Sequence, residues 1–297
     1  MRSGFRVVCF IALFIFLAIF FGSGASLLLA MMPGIGTNGS LAVLIASGTS
    51  LLAAALTAGW LCSKKFEKLP FRSLGAWFTK RWWLNLFVGL ILGVFSLSLA
   101  VALAVAVGGL EFTQNPDHGR LAIILTFFAS FAVFAVGAAW EEAVFRGYIL
   151  QTMMRSGQVL PGILLTSVLF ATIHNTNPNA TLFSWVNTFI AGIWFAVAYI
   201  KTRDLWLVTG MHLTWNWTQG AIFGVEVSGL TDIVSAPLLR EIDHGPAWLT
   251  GSNYGIEGGV AATAALIIST VAVFYLPIVK PADEILAMTT VKSEPSA

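Results

Sequence analysis

The stretch LAIILTFFASFAVFAVGAAWEEAVFRGYIL, Leu121–Leu150, decides how the chain is read. Its first twenty positions carry no charge, and then two adjacent carboxylates and an arginine stand where lipid tails are expected. A lone ionised group at the centre of a bilayer costs at least ~3 kcal/mol, so such groups persist there when they are paired or when they act. On a helix Glu142 and Arg146 are four apart and face one another, whereas Glu141 points about 100° away. One acid is paired and one is left over. A structural ion pair accounts for Glu142 and Arg146 but leaves Glu141 without a task.

The rest of the chain is of the same kind. With 57% hydrophobic and 10% charged residues and a mean hydropathy of +0.84, it is far too apolar for a soluble domain. A net charge of +2, with the bases clustered between apolar runs, excludes a nucleic-acid partner. The two cysteines, Cys9 and Cys62, lie inside separate apolar runs and are expected to pack. The N-terminus has the basic start and apolar core of a secretory signal, but the apolar run continues past Ser26, which predicts an uncleaved first helix.

Apolar stretches at 7–32, 41–62, 83–109, 121–154, 159–175, 183–200, 205–224 and 256–278 predict an all-α, polytopic membrane helix bundle of about eight transmembrane helices. With the N-terminus inside, thirteen of the sixteen Lys and Arg fall on the inner side, Arg120 and Arg240 outside, and Arg146 within the membrane. That asymmetry follows the positive-inside rule and predicts a multi-pass cell-membrane protein with both termini cytoplasmic. A single membrane domain is expected over 1–297, with a core at 121–260 that carries the motifs described below and a cytoplasmic tail at 279–297. Phe66–Trp83 alternates bases with aromatics and is expected along the inner interface. The long outer loop, 226–257, is the region able to cover a site mouth.

Four polar groups fall within the later spans: Glu141, Glu142 and Arg146; His174 in FATIHNTNPN; His212 and Asn216, four apart on one helix face with Gln219 a turn further; and Asn187, expected to serve helix packing. Each of the others has a structural explanation when taken alone, as a helix cap or as hydrogen-bonding between helices. At 1.5 Å per residue from the nearest inner loop, Glu142 lies roughly 20 Å deep, His174 roughly 24 Å and His212 roughly 14 Å. Two of the four histidines thus share the membrane with the only intramembrane carboxylates. Two imidazoles and a carboxylate in a shielded pocket suit activation of water, either directly or through a bound metal. The parts for a covalent or phosphoryl-transfer route are missing: there is no nucleophile elbow, no cysteine in the group and no phosphate loop.

Three ordered motifs, EEAVFR (Glu141–Arg146), FATIH (Phe170–His174) and HLTWN (His212–Asn216), resemble those of the CPBP membrane proteases. That family includes type II CAAX prenyl endopeptidases and bacterial relatives linked to bacteriocin processing and self-immunity. NPN (Asn177–Asn179), NTFIAG, FGVEVSG and WLTGSNYGIEG support the likeness, which covers roughly 135–260. The resemblance implies an intramembrane endopeptidase in which Glu141 activates water, His174 and His212 share the site, Asn216 stabilises the oxyanion, and Glu142 with Arg146 braces the helix. Glu141, His174 and His212 would also suit a divalent metal such as zinc, and both routes stay open. The implied partners are the lipid bilayer and a peptide or protein substrate near the membrane, which in some members has a modified C-terminus. The competing readings are a proton-coupled transporter and a non-catalytic immunity or scaffold protein.

Overall fold

The computed structural model describes residues 3–31, 41–231 and 233–290. Arg2 and Lys292 of the charge tally, and the end of the expected tail, lie outside them. In chain order the elements are α1 (Ser3–Ala30), α2 (Leu41–Cys62), α3 (Trp82–Ala106), β1 (Leu110–Gln114), α4 (Arg120–Glu142), α5 (Gln151–Arg155), α6 (Val159–His174), α7 (Leu182–Thr202), α8 (Leu205–Trp217), β2 (Leu239–Asp243), α9 (Ala247–Thr250), α10 (Val260–Tyr275) and α11 (Asp283–Thr289). The fold is an all-α polytopic bundle. Each predicted apolar stretch holds a helix.

Among the described residues five helical stretches can, by length and composition, cross a membrane: 3–30, 41–67, 82–106, 120–155 and 182–202. The helices α6 and α10, at sixteen residues each, reach about 24 Å and fall short of the roughly 30 Å hydrocarbon layer. Large apolar side chains such as Phe16, Phe20, Leu121 and Phe128 cover the outside of the bundle, as lipid-facing surface requires.

The helix α8 lies at the centre, with Leu207, Val208 and Met211 fully buried. It meets α3 backbone to backbone. A Cβ on Gly210 would come within 2.8 Å of the Leu86 carbonyl oxygen, and one on Gly89 would strike the Leu207 carbonyl. This close approach sets the register in which α8 presents His212 to α4. Asp204 caps α8 by accepting from the Trp206 amide at 3.1 Å and takes a second bond from Asn85 of α3 at 2.6 Å.

Bases gather at one end of the bundle. There Glu67 accepts from Arg6 at 3.1 Å and from Arg155 at 3.2 Å, tying the start of α1 to the end of α5. In the aromatic segment before α3, the Trp77 carbonyl accepts from the Trp206 indole at 2.8 Å, while Phe78 packs on Trp82 and Trp206. At the opposite end β1 and β2 pair antiparallel, Leu110 opposite Asp243 through Gln114 opposite Leu239. This ribbon departs from the wholly helical expectation. It joins two loops far apart in the chain, and Phe112 of β1 packs its ring 5.2 Å from that of Phe223.

Candidate active site

The rod that begins as α4 continues through a π-helical stretch, Ala143–Leu150, into α5. The wider turn begins immediately after the paired acids, and π-turns within helices often mark functional sites. Across it Arg146 still reaches Glu142, with Nη1 donating at 3.0 Å, while Nη2 donates to the Gly192 carbonyl of α7 at 3.1 Å. Both side chains are wholly buried. The rings of Phe145, Phe170 and Phe195 surround the guanidinium at 5.7, 5.0 and 5.2 Å, supplying π faces to a cation that water cannot reach. A carbonyl can come so close because Gly192 has no side chain: a Cβ there would lie 2.7 Å from Ser167 of α6.

Glu142 is also bonded to His212, Nδ1 to Oε1 at 2.9 Å. Because that carboxylate already balances Arg146, His212 Nδ1 carries the proton and donates it. His174 is fixed in the same sense, its Nδ1 lying 2.8 Å from the Phe170 carbonyl, which can only accept. In their neutral forms both imidazoles therefore present an Nε2 lone pair, and both turn it toward Glu141. Glu141 Oε2 stands 3.8 Å from His174 Nε2 and 4.0 Å from His212 Nε2, and it has no hydrogen-bond partner among the described residues although the atom is buried. Side-chain exposure is 16% for Glu141, 15% for His174 and 5% for His212. Phe170 packs against both imidazoles, at 4.5 and 5.9 Å, and His212 stacks on Phe195.

Three acceptors with no donor between them call for water or a cation. A tetrahedral zinc with ligands at about 2.1 Å sets its ligand atoms about 3.4 Å apart. A water bonded at about 2.8 Å spans these gaps at angles near 90°. The donor chemistry suits zinc, but the spacing is wider, and no group of three His, Cys, Asp or Glu among the described residues is placed to hold a metal ion.

Asn216 joins the group one turn after His212 and lines two cavities with His174 and Ser228. One is a recess of about 440 Å³ that also contains His212 and Glu257; the other, of about 830 Å³, contains Glu141. Gln219, expected on the same face, is drawn away to donate to the Glu226 carbonyl. Asn187 bonds the carbonyls of Glu257 and Gly259 at 2.8 and 2.9 Å and thereby fastens α7 to the start of α10.

The sequence motifs assign no role to Glu257. Its Oε1 accepts from the Trp215 indole at 2.8 Å, and its Oε2 accepts from the Ser228 amide and hydroxyl at 2.8 and 2.7 Å. The Val227–Leu230 turn is thereby clamped beside Asn216. Ser228 sits there at φ 50°, a conformation that costs a residue with a Cβ roughly 1–2 kcal/mol, and its carbonyl is held by Asn177 at 3.1 Å. A lone acid among glycines at the head of an apolar run was the available signal.

Residues 123–218 match the family described as type II CAAX prenyl endopeptidase Rce1-like. The match covers about a third of the chain, from α4 to the end of α8, and contains Glu141, Glu142, Arg146, His174, His212 and Asn216. Comparison with curated proteins gave no match. Over this segment and its motifs the chain is similar to the Rce1-like type II CAAX prenyl endopeptidases.

Proposed function

We propose that the protein is an intramembrane endopeptidase that cleaves a peptide bond with a water activated by Glu141. One observation carries this reading: the buried Glu141 Oε2 has no partner among the described residues and faces two imidazole nitrogens whose protons are held on the far side of each ring. A water there donates to Glu141 and to one Nε2. As its oxygen attacks the scissile carbonyl carbon, its proton passes to Glu141. Negative charge builds on the former carbonyl oxygen, and the Asn216 amide, which lines both cavities, is the donor that meets it. The C–N bond then breaks as the proton moves from Glu141 to the departing amine, with His174 within reach to relay it. Excluding bulk water strengthens each of these interactions.

In this reading Glu142 and Arg146 do no chemistry; they hold the His212 tautomer and the course of the rod. A divalent ion such as zinc would be held by Glu141, His174 and His212 and would supply Lewis acidity. The spacing favours water alone, so cleavage is expected to survive exhaustive chelation. The substrate is a peptide or protein segment at the membrane.

The decisive experiment compares membrane proteomes of wild-type and Glu141→Gln cells, together with cleavage by the two purified proteins. Glu141→Gln is expected to lower kcat at least ~10³-fold with an unchanged unfolding temperature, consistent with loss of a general base, and uncut substrate accumulates. Full activity in the variant overturns the mechanism. Proton-driven uptake without proteolysis, or a partner-binding role indifferent to the substitution, would replace it.

A further inference from the structure

Glycine is the poorest helix former after proline, so a glycine in mid-helix needs a reason. Neighbours supply it at several positions here: an added Cβ would lie 2.7 Å from Val136 at Gly48, 2.7 Å from Ser167 at Gly192 and 2.8 Å from the Leu86 carbonyl at Gly210. Gly137, well inside α4, is different, since a Cβ there meets nothing within 4 Å among the described residues. Gly4, Gly22 and Gly24 share that freedom, but on α1, which carries no site residue. Gly137 instead lines the 830 Å³ cavity that holds Glu141, one turn further along the same helix. Helix packing does not require its missing side chain.

The cavity supplies another reason. Around Gly137 its walls include the apolar Val133, Phe134, Leu230 and Ile233, while His174, Asn177, Asn216 and Ser228 supply polar lining. Gly137 and Glu141 are about 6 Å apart along the helix axis, and an extended peptide advances about 3.3 Å per residue. A substrate group above Gly137 therefore lies about two residues from a bond held at Glu141. We propose that Gly137 is a specificity-determining residue: the space it leaves open receives a large apolar side chain of the substrate, within two residues of the cleaved bond. This rests on the reading of Glu141 as the base.

Two arms test it. In the first, purified wild type, Glu141→Gln, Gly137→Ala and Gly137→Leu are given a quenched fluorescent peptide library, in detergent micelles, whose residues flanking the cleaved bond run from Gly to Trp. Gly137→Leu is expected to lower kcat/KM at least tenfold for peptides with Leu, Phe or Trp at one position near the bond, and to leave the alanine peptides within threefold. Gly137→Ala falls between, while its unfolding temperature stays level or rises. Equal loss on all peptides, or no loss, overturns the proposal.

The second arm needs no proteolysis. Glu141→Cys, in a chain with Cys9→Ala and Cys62→Ala, is alkylated with N-methylmaleimide or N-(1-pyrenyl)maleimide. Adding Gly137→Leu is expected to slow the pyrenyl reagent at least tenfold and the methyl reagent less than twofold; equal effects on both overturn the slot. If the wild type cleaves no peptide, the proteolytic reading fails, and the alkylation arm still decides whether Gly137 opens the cavity.

Discussion

Glu67 and Glu141 are two carboxylates withdrawn from bulk water in the same bundle, and they end differently. Glu67, 1% exposed, gives one oxygen to Arg6 and the other to Arg155, and it stitches the first helix to the end of the long rod. Glu141 has no cation, although Arg146 is five residues away, because Arg146 is committed to Glu142 and Gly192. Among the described residues the protein holds two cations against the first acid and none against the second. A saturated carboxylate is structural; Glu141, beside two ring nitrogens, keeps acceptor capacity that no described residue uses.

This contrast can be broken by removing each acid or its support. The largest effect on stability is expected for Glu142→Gln, which leaves Arg146 buried and unpaired; loss of about 3–5 kcal/mol should show as a markedly lower unfolding temperature, where Glu141→Gln shows none. Next comes Asn216→Ala, expected to reduce kcat about 10²-fold, or about 2.7 kcal/mol, with KM and unfolding temperature little changed. Asn216→Gln is expected to lose less than Asn216→Ala in the same assay, since the longer amide keeps a donor. Glu67→Gln is expected to cost about 1–3 kcal/mol of stability and to leave kcat within twofold, measured by thermal unfolding and peptide cleavage. If Glu67→Gln abolishes activity with the fold intact, the division between holding acid and acting acid is wrong.

The smallest effect concerns the ribbon. The Glu241 carboxyl of β2 is pushed up to about 8 by burial, with Glu226 and Asp243 adding to the shift. A carboxyl with a raised folded-state value keeps its proton when the unfolded chain has lost it, so its contribution to stability falls as pH rises from about 4.5 to about 8. Unfolding temperature should decline modestly over that window, and Glu241→Gln should flatten the decline.

Much of this was legible in the chain. Hydropathy located every long helix, and the i, i+4 spacing of Glu142 and Arg146 identified Glu141 as the acid left over. The number of crossings was less accessible, since an apolar run reports composition, while the length of straight helix depends on packing; α6 and α10 are short for that reason. Gln219 was expected beside Asn216, but the helix loosens into a π-turn at Thr218–Ile222 and its side chain is taken by the Glu226 carbonyl. The β1–β2 ribbon and the Glu257 clamp join residues whose separation in sequence carries no periodic signal. The room above Gly137 was also invisible, because an open space has no spacing to read.

The rod from Arg120 to Arg155 spans 36 residues, about 54 Å at 1.5 Å per residue, against a hydrocarbon layer of roughly 30 Å. It must lean steeply or project beyond the lipid at one or both ends. Glu141 rides on this rod, so bilayer thickness, by changing the lean, bears directly on how far beneath the headgroups the acid is carried. Vesicles of different acyl length thus act on the protein as a mechanical variable.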